Sequence, residues 1–114
     1  MPVQFSNVGE IGILRVVGRL DAQGAAELER AAFDAMSRTL ALVLDLNEAT
    51  DASPAALRVI VMLDTIMAHR SQVLCISPAD SLLRQGLDSA NLTLRASYAP
   101  TVAAAQALLS DGIE

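Results

Sequence analysis

The sequence predicts a single α/β domain over residues 1–114, with a mixed, mostly parallel β-sheet of four to five strands and about four helices. A chain of 114 residues fits one domain and is long enough to bury a core. Strand-like and helix-like segments alternate along it, and this order implies parallel strands joined by short crossovers. Hydrophobic residues make up 53% of the chain but aromatic residues only 3%, so the core must be aliphatic.

The predicted strands are short apolar runs or segments in which apolar and polar residues alternate. Gly9 and Gly12 mark a turn between a short first strand and a second one. The nearly continuous apolar runs that follow are typical of strands that are central or covered on both faces. The predicted strands are residues 3–5, 11–17, 40–46, 72–76 and 92–97.

Helical periodicity predicts a first helix over residues 22–38 and a last one over 101–109. Between them a helix should begin at Pro54, because proline suits the first turn and Ser53 before it can serve as the N-cap. Ser77 and Pro78 repeat this arrangement, with Asp80 placed as in a capping box. The polar crossing at 51–54 therefore follows the carboxyl end of a parallel strand, where α/β proteins usually place their sites.

Few groups in the chain could carry out catalysis or hold a metal ion. His69 is the sole histidine and Cys75 the sole cysteine, so no zinc site can be assembled. Cys75 lies in an apolar run and is interpreted as a core residue, and His69 as a surface residue at a helix end. No glycine-rich phosphate loop follows a strand. We expect a non-enzymatic protein with no catalytic residues, no metal and no cofactor.

Charge and hydropathy narrow the classes of partner. The net charge is −5, and the eight basic residues are scattered rather than clustered, which argues against nucleic acid. No apolar run approaches the roughly 18 residues that a membrane span needs. A lone cysteine and a start without signal-peptide features favour the cytoplasm.

The helix that begins at Pro54 is apolar on more than one side. Leu57, Val61 and Met62 fall outside its core stripe. A helix of this kind is either deeply buried or offers a docking face, and both interpretations stay open, as does a homodimer formed through that face. The predicted core stripe consists of Ala56, Val59, Ile60, Leu63 and Met67.

Three segments, taken in order, resemble the STAS family, which includes the bacterial anti-sigma factor antagonists. ILRVVGRLDAQGAAELERAA is similar to the family's opening strand, its G-x-L-D turn and its first helix. LVLDLNEATDAS resembles the central strand and the loop after it. VLCISPADSLLRQGLDSANL is similar to a later strand, a Ser-Pro helix start and the segment before the last strand. The resemblance covers almost the whole chain and implies a STAS-type domain.

In that family the loop commonly reads D-[ST]-[ST]-G-[LV], and a partner kinase, which is also the anti-sigma factor, phosphorylates the first hydroxyl residue. Asp51 matches the family's Asp, Ser53 matches the second hydroxyl residue, and Pro54 replaces the Gly. Ala52 occupies the phosphoacceptor position without a hydroxyl group. Three interpretations stay open: constitutive binding of the partner, Ser53 as a displaced phosphoacceptor in competition with its capping role, or a scaffold in another assembly.

The resemblance thus implies an anti-sigma factor antagonist that binds an anti-sigma factor of the GHKL serine-kinase type and releases a sigma factor. It also places the Gly18–Asp21 turn beside the loop, although Asp21 could equally be the N-cap of the first helix. The alternative is a STAS scaffold or sensor subunit of a transport or stress-signalling assembly. The partner-binding residues implied are Arg19, Asp21, Asn47, Asp51, Ala52, Ser53, Pro54, Leu57 and Val61.

Overall fold

A computed structural model of the chain describes residues 3–78, 82–89 and 94–113. Within those residues the chain forms five strands in one sheet, in the order β1-β2-β3-β4-β5, and four helices. β1 and β2 pair antiparallel, and the other three strand pairs are parallel. The predicted mixed, mostly parallel sheet is confirmed. The elements are β1 (Val3–Val8), β2 (Ile11–Leu20), α1 (Ala22–Met36), β3 (Ala41–Ala52), α2 (Pro54–His69), β4 (Val73–Ser77), α3 (Leu82–Ser89), β5 (Ser97–Tyr98) and α4 (Val102–Ile113).

The sheet lies between two layers of helices, each with its own apolar cluster. Residues of α1, α2 and α3 pack on one face in the larger cluster, which includes Leu28, Ile60 and Leu87. On the other face α4 packs against a smaller cluster that contains Cys75, which is fully buried. Burial raises the pKa of the Cys75 thiol, which keeps it protonated. The prediction that Cys75 is a core residue is confirmed.

The ends of several elements differ from the prediction. β3 extends to Ala52, so the segment predicted to be a loop after residue 46 is strand, as is most of the turn predicted at Gly18–Asp21. β5 comprises two residues, and 94–96 are not strand, whereas 92 and 93 lie outside the described residues. The turn between β1 and β2 contains Gly9, at φ +59°, while Gly12 lies inside β2. The capping box predicted at Asp80 also falls outside the described residues.

Helix α2 buries its predicted core stripe and, in addition, an acidic residue that the stripe did not include. The predicted core stripe is buried except for Val59, which is half-buried against the larger cluster. Asp64, in the middle of the helix, is also buried, and its Oδ2 accepts a hydrogen bond from the backbone N–H of Arg95 at 2.8 Å. This bond satisfies a buried carboxyl oxygen and links the segment before β5 to α2.

Candidate functional site

Strands β2 and β3 run side by side to their carboxyl ends, where Arg19 lies opposite Asp51 and Leu20 opposite Ala52. Nη2 of Arg19 is 3.8 Å from Oδ2 of Asp51, and these side chains are 75% and 59% exposed. The N–H of Ser53 donates to the carbonyl of Leu20 at 3.0 Å, which fixes the junction to β2. The two segments that the resemblance placed together are adjacent, as neighbouring strands rather than as a turn beside a loop.

The start of α2 uses the hydroxyl group next to this pair. Ser53 has an extended backbone, and its Oγ accepts a hydrogen bond from the N–H of Ala56 at 3.2 Å, with Pro54 in the first helical turn. Ser53 is therefore the N-cap, as predicted. The Asp51 carboxylate accepts from the N–H of Ala52 at 2.8 Å, and Ala52 itself presents only a methyl group. The Ser53 hydroxyl group at the junction is therefore engaged in capping α2.

Replacing Ser53 by alanine should lower the free energy of unfolding by about 1 kcal/mol, because one N–H of the first turn of α2 loses its acceptor. Urea denaturation followed by circular dichroism measures this difference. The matched control is Ser53→Asp, which keeps a capping oxygen and should stay close to the native chain. Equal stability of Ser53→Ala and the native chain would contradict the capping role.

Asp21 and Asn47 form hydrogen bonds that stabilise elements around the junction. Oδ1 of Asp21 accepts from the N–H of Gly24 at 2.9 Å, so Asp21 is the N-cap of α1 while remaining exposed. Nδ2 of Asn47 donates to the Asp45 carboxylate at 2.7 Å and to Oγ of Ser77 at 3.3 Å. Asn47 thus links β3 to the end of β4, on the far side of β3 from Arg19.

Leu57 and Val61 lie on α2 and are half-buried against the larger cluster. Leu57 packs over α3 where Gly86 leaves room for it, since a methyl group at Gly86 would come within 3.2 Å of Leu57 Cδ1. The apolar excess of α2 is therefore partly covered by the fold itself. Only the exposed remainder of these side chains, together with exposed Pro54, is accessible to a partner.

One part of this surface was not predicted. Arg15 on β2 forms an ion pair with Glu48 on β3, and Val17, paired with Glu48, is exposed between Arg15 and Arg19. Because side chains two residues apart on a strand share a face, these residues continue the surface of the Arg19–Asp51 pair along the sheet. The sequence carried no signal for this extension, because residues 47–52 of β3 have no apolar pattern. We call Arg15, Val17, Arg19, Glu48 and Asp51 the charged face.

In the part of the chain that the structure describes, no group of three or more His, Cys, Asp or Glu side chains could hold a metal ion. No helix within the same residues is long and apolar enough to cross a membrane.

Comparison with known proteins gives likeness in structure alone. No protein-family model matches the chain, and no curated protein matches its sequence. A variant of RsbS from Moorella thermoacetica, in which a serine is replaced by glutamate, has a TM-score of 0.84 at 14% identity, over 99% of this chain and 98% of that one. A putative anti-sigma factor antagonist from Thermotoga maritima has a TM-score of 0.82 at 16% identity, over 95% and 94% of the two chains.

The anti-sigma factor antagonist SpoIIAA in its unphosphorylated form has a TM-score of 0.74 at 9% identity, over 97% of this chain and 96% of that one. These similarities extend over nearly the full length of both partners in each pair. The chain has the STAS-type fold of the anti-sigma factor antagonists.

Proposed function

We propose that the chain is an anti-sigma factor antagonist, which binds an anti-sigma factor of the GHKL serine-kinase type at the β3–α2 junction and so releases a sigma factor. The observation that carries the proposal is the exposed Arg19–Asp51 pair, held at the ends of two strands beside the first turn of α2. The likeness in fold to antagonists over nearly the whole chain supports it.

The same proposal includes constitutive binding of the partner. SpoIIAA has been solved in both unphosphorylated and phosphorylated forms, so that protein exists in two states. Here Ala52 offers no hydroxyl group, and the Ser53 hydroxyl accepts the N-cap hydrogen bond of α2. A phosphate would add about −1.5 to −2 charges next to Asp51. Without an acceptor at Ala52 this change of charge does not occur, and the chain stays competent to bind.

Within the proposed interface the residues have unequal roles. Arg19 and Asp51 give charge complementarity, and Ala52 and Pro54 let the partner approach the backbone at the junction. Five further residues contact the partner in this proposal and also stabilise the fold, so substitutions there would change both: Asp21, Asn47, Ser53, Leu57 and Val61. Exposed charges of this kind mainly set specificity and association rate.

A second candidate function is a STAS scaffold or sensor subunit of a transport or stress-signalling assembly. The observation that favours it is Ala52, because a scaffold needs no phosphoacceptor at this position. The two functions predict different partners, which makes them separable by a single experiment.

The test is affinity capture from lysate of the native cell with the tagged chain as bait, read by mass spectrometry. We expect enrichment of a GHKL-type kinase, and loss of that kinase when the bait carries Asp51→Lys. A bait with Asp34→Lys, an exposed acid on α1, is the matched control and should retain it. Enrichment of transporter or stress-complex subunits instead would overturn the proposal in favour of the second candidate.

A further inference from the structure

A cleft of about 380 Å³ lies at the edge of the sheet opposite the β3–α2 junction, beside the amino ends of β3 and β4. Leu108 and Leu109 of α4 lie on one side of it, and the turn that joins α2 to β4 forms the other. Its volume falls within the range of small-molecule sites, roughly 300–1,000 Å³. Its apolar walls include Leu40, Val73, Leu108 and Leu109.

The cleft gathers exposed apolar side chains. Seven large hydrophobic residues are exposed in the part of the chain described by the structure, and three of them line this one concavity: Leu40 at 51%, Val73 at 47% and Leu108 at 54%. Single exposed apolar residues need no explanation, but these three line one concavity, where a ligand with an apolar body would cover all of them. The occupant must therefore have an apolar body.

Polar groups at the cleft indicate the charge of that occupant. Arg70 and Ser71, in the turn after α2, lie side by side on its wall. Arg70 makes one long hydrogen bond, 3.5 Å from Nη2 to the carbonyl of Met36, and no acidic residue lies among the described residues of the lining. Ser71 has φ +57°, the left-handed conformation common just after a helix, and its N–H donates to the carbonyl of Ala68 at 3.2 Å, so the end of α2 fixes its position in the cleft wall.

We propose that this cleft binds an amphiphilic carboxylate: an acyl chain of medium length against Leu40, Val73 and Leu108, and a carboxylate that accepts hydrogen bonds from Arg70 and Ser71. Arginine suits this head group because its planar guanidinium can donate two parallel hydrogen bonds to a carboxylate. The site is separate from the β3–α2 junction, so the inference does not depend on the proposed function. It assigns a ligand-binding role to the edge of the sheet that the proposed partner leaves free.

The experiment uses decanoate as the probe and titration calorimetry of the full chain, with backbone NMR shifts to locate the site. We expect one decanoate per chain and shifts centred on residues 40, 73 and 108. Arg70→Gln and Leu108→Ser should each weaken binding by about tenfold, with partial recovery in Arg70→Lys. Arg58→Gln, which removes an exposed arginine on α2 away from the cleft, is the matched control and should bind as the native chain does.

Three outcomes would overturn the inference. If decanol bound as tightly as decanoate, the carboxylate would make no contribution to binding. Equal affinity of the native chain, Arg70→Gln and Leu108→Ser would place the probe elsewhere. Absence of binding together with self-association that Leu108→Ser abolishes would assign the cleft to a second copy of the chain. Circular dichroism of each variant distinguishes a loss of binding from a loss of the folded structure.

Discussion

Replacement of Asp51 by lysine is expected to weaken binding of the anti-sigma factor by about 100-fold, which corresponds to roughly 2.7 kcal/mol. The change reverses a charge 3.8 Å from Arg19, so a partner group that is attracted to Asp51 meets two cations instead. The fold should persist, because an exposed ion pair contributes only about 0–1 kcal/mol to stability. Titration calorimetry with the purified partner measures the affinity, and circular dichroism measures the fold.

The matched control for this variant is Asp34→Lys. Asp34 is an exposed acid on α1 whose Oδ1 lies 3.5 Å from Nη2 of Arg38, just beyond the end of that helix, so the substitution makes the same change in net charge and also removes an exposed ion pair. We expect Asp34→Lys to bind as the native chain does. If both variants keep native affinity, the β3–α2 junction is not the docking surface. If both lose it equally, net charge rather than a specific contact governs binding.

Salt dependence provides an independent check on the same contact. Exposed charges separated by more than about 8–10 Å are largely screened at physiological ionic strength, whereas groups in contact are screened less. The difference in affinity between the native chain and Asp51→Lys should therefore shrink as salt is raised but should not vanish. Complete loss of the difference at moderate salt would indicate that Asp51 acts by long-range attraction and not by contact.

Local signals in the sequence predicted the elements that depend on short-range chemistry. Ser53 and Pro54 placed the start of α2 correctly, because an N-cap and a proline in the first turn act within a few residues of each other. Asp21 did the same for α1. The apolar runs that became β3 and β4 were recognisable since both faces of the central strands are covered by helices.

The second half of β3 could not be predicted in this way. Residues 47–52 are polar or small, and most are exposed, so they carry no apolar pattern, yet they pair with β2 through the backbone from Val17 to Leu20. Backbone pairing is independent of side-chain type, and the register shifts within this pair disturb any alternation further. The Arg15–Glu48 pair was hidden for the same reason, because it exists only if this segment is strand.

Contacts between residues far apart in sequence were equally out of reach. Leu57 appeared surplus to the core of α2, but Gly86 of α3 makes room for it. Asp64 is buried in the middle of α2, where its carboxylate accepts a hydrogen bond from the N–H of Arg95, 31 residues further along the chain. Neither contact has a signature in the neighbouring sequence. The sequence could therefore locate the candidate site at the junction, through Ser53 and Pro54, but could not show which surrounding residues the fold covers.

Replacement of Ala52 by serine is expected to create a phosphoacceptor: one phosphate per chain after incubation with the partner kinase and Mg-ATP, where the native chain takes up none. The position is half-exposed, at the end of β3 and one residue before the N-cap of α2. A phosphate placed there is stabilised by the N-terminus of the helix, as anions at such positions generally are. Intact-mass spectrometry counts the phosphates directly.

The phosphorylated Ala52→Ser chain should then lose affinity for the kinase by at least about tenfold, because two further negative charges at the junction repel or block the group that meets Asp51. Its unphosphorylated form should bind as the native chain does. Ser53→Ala is the control that decides between positions: a phosphate on the native chain that disappears in Ser53→Ala would show that Ser53 is the acceptor after all.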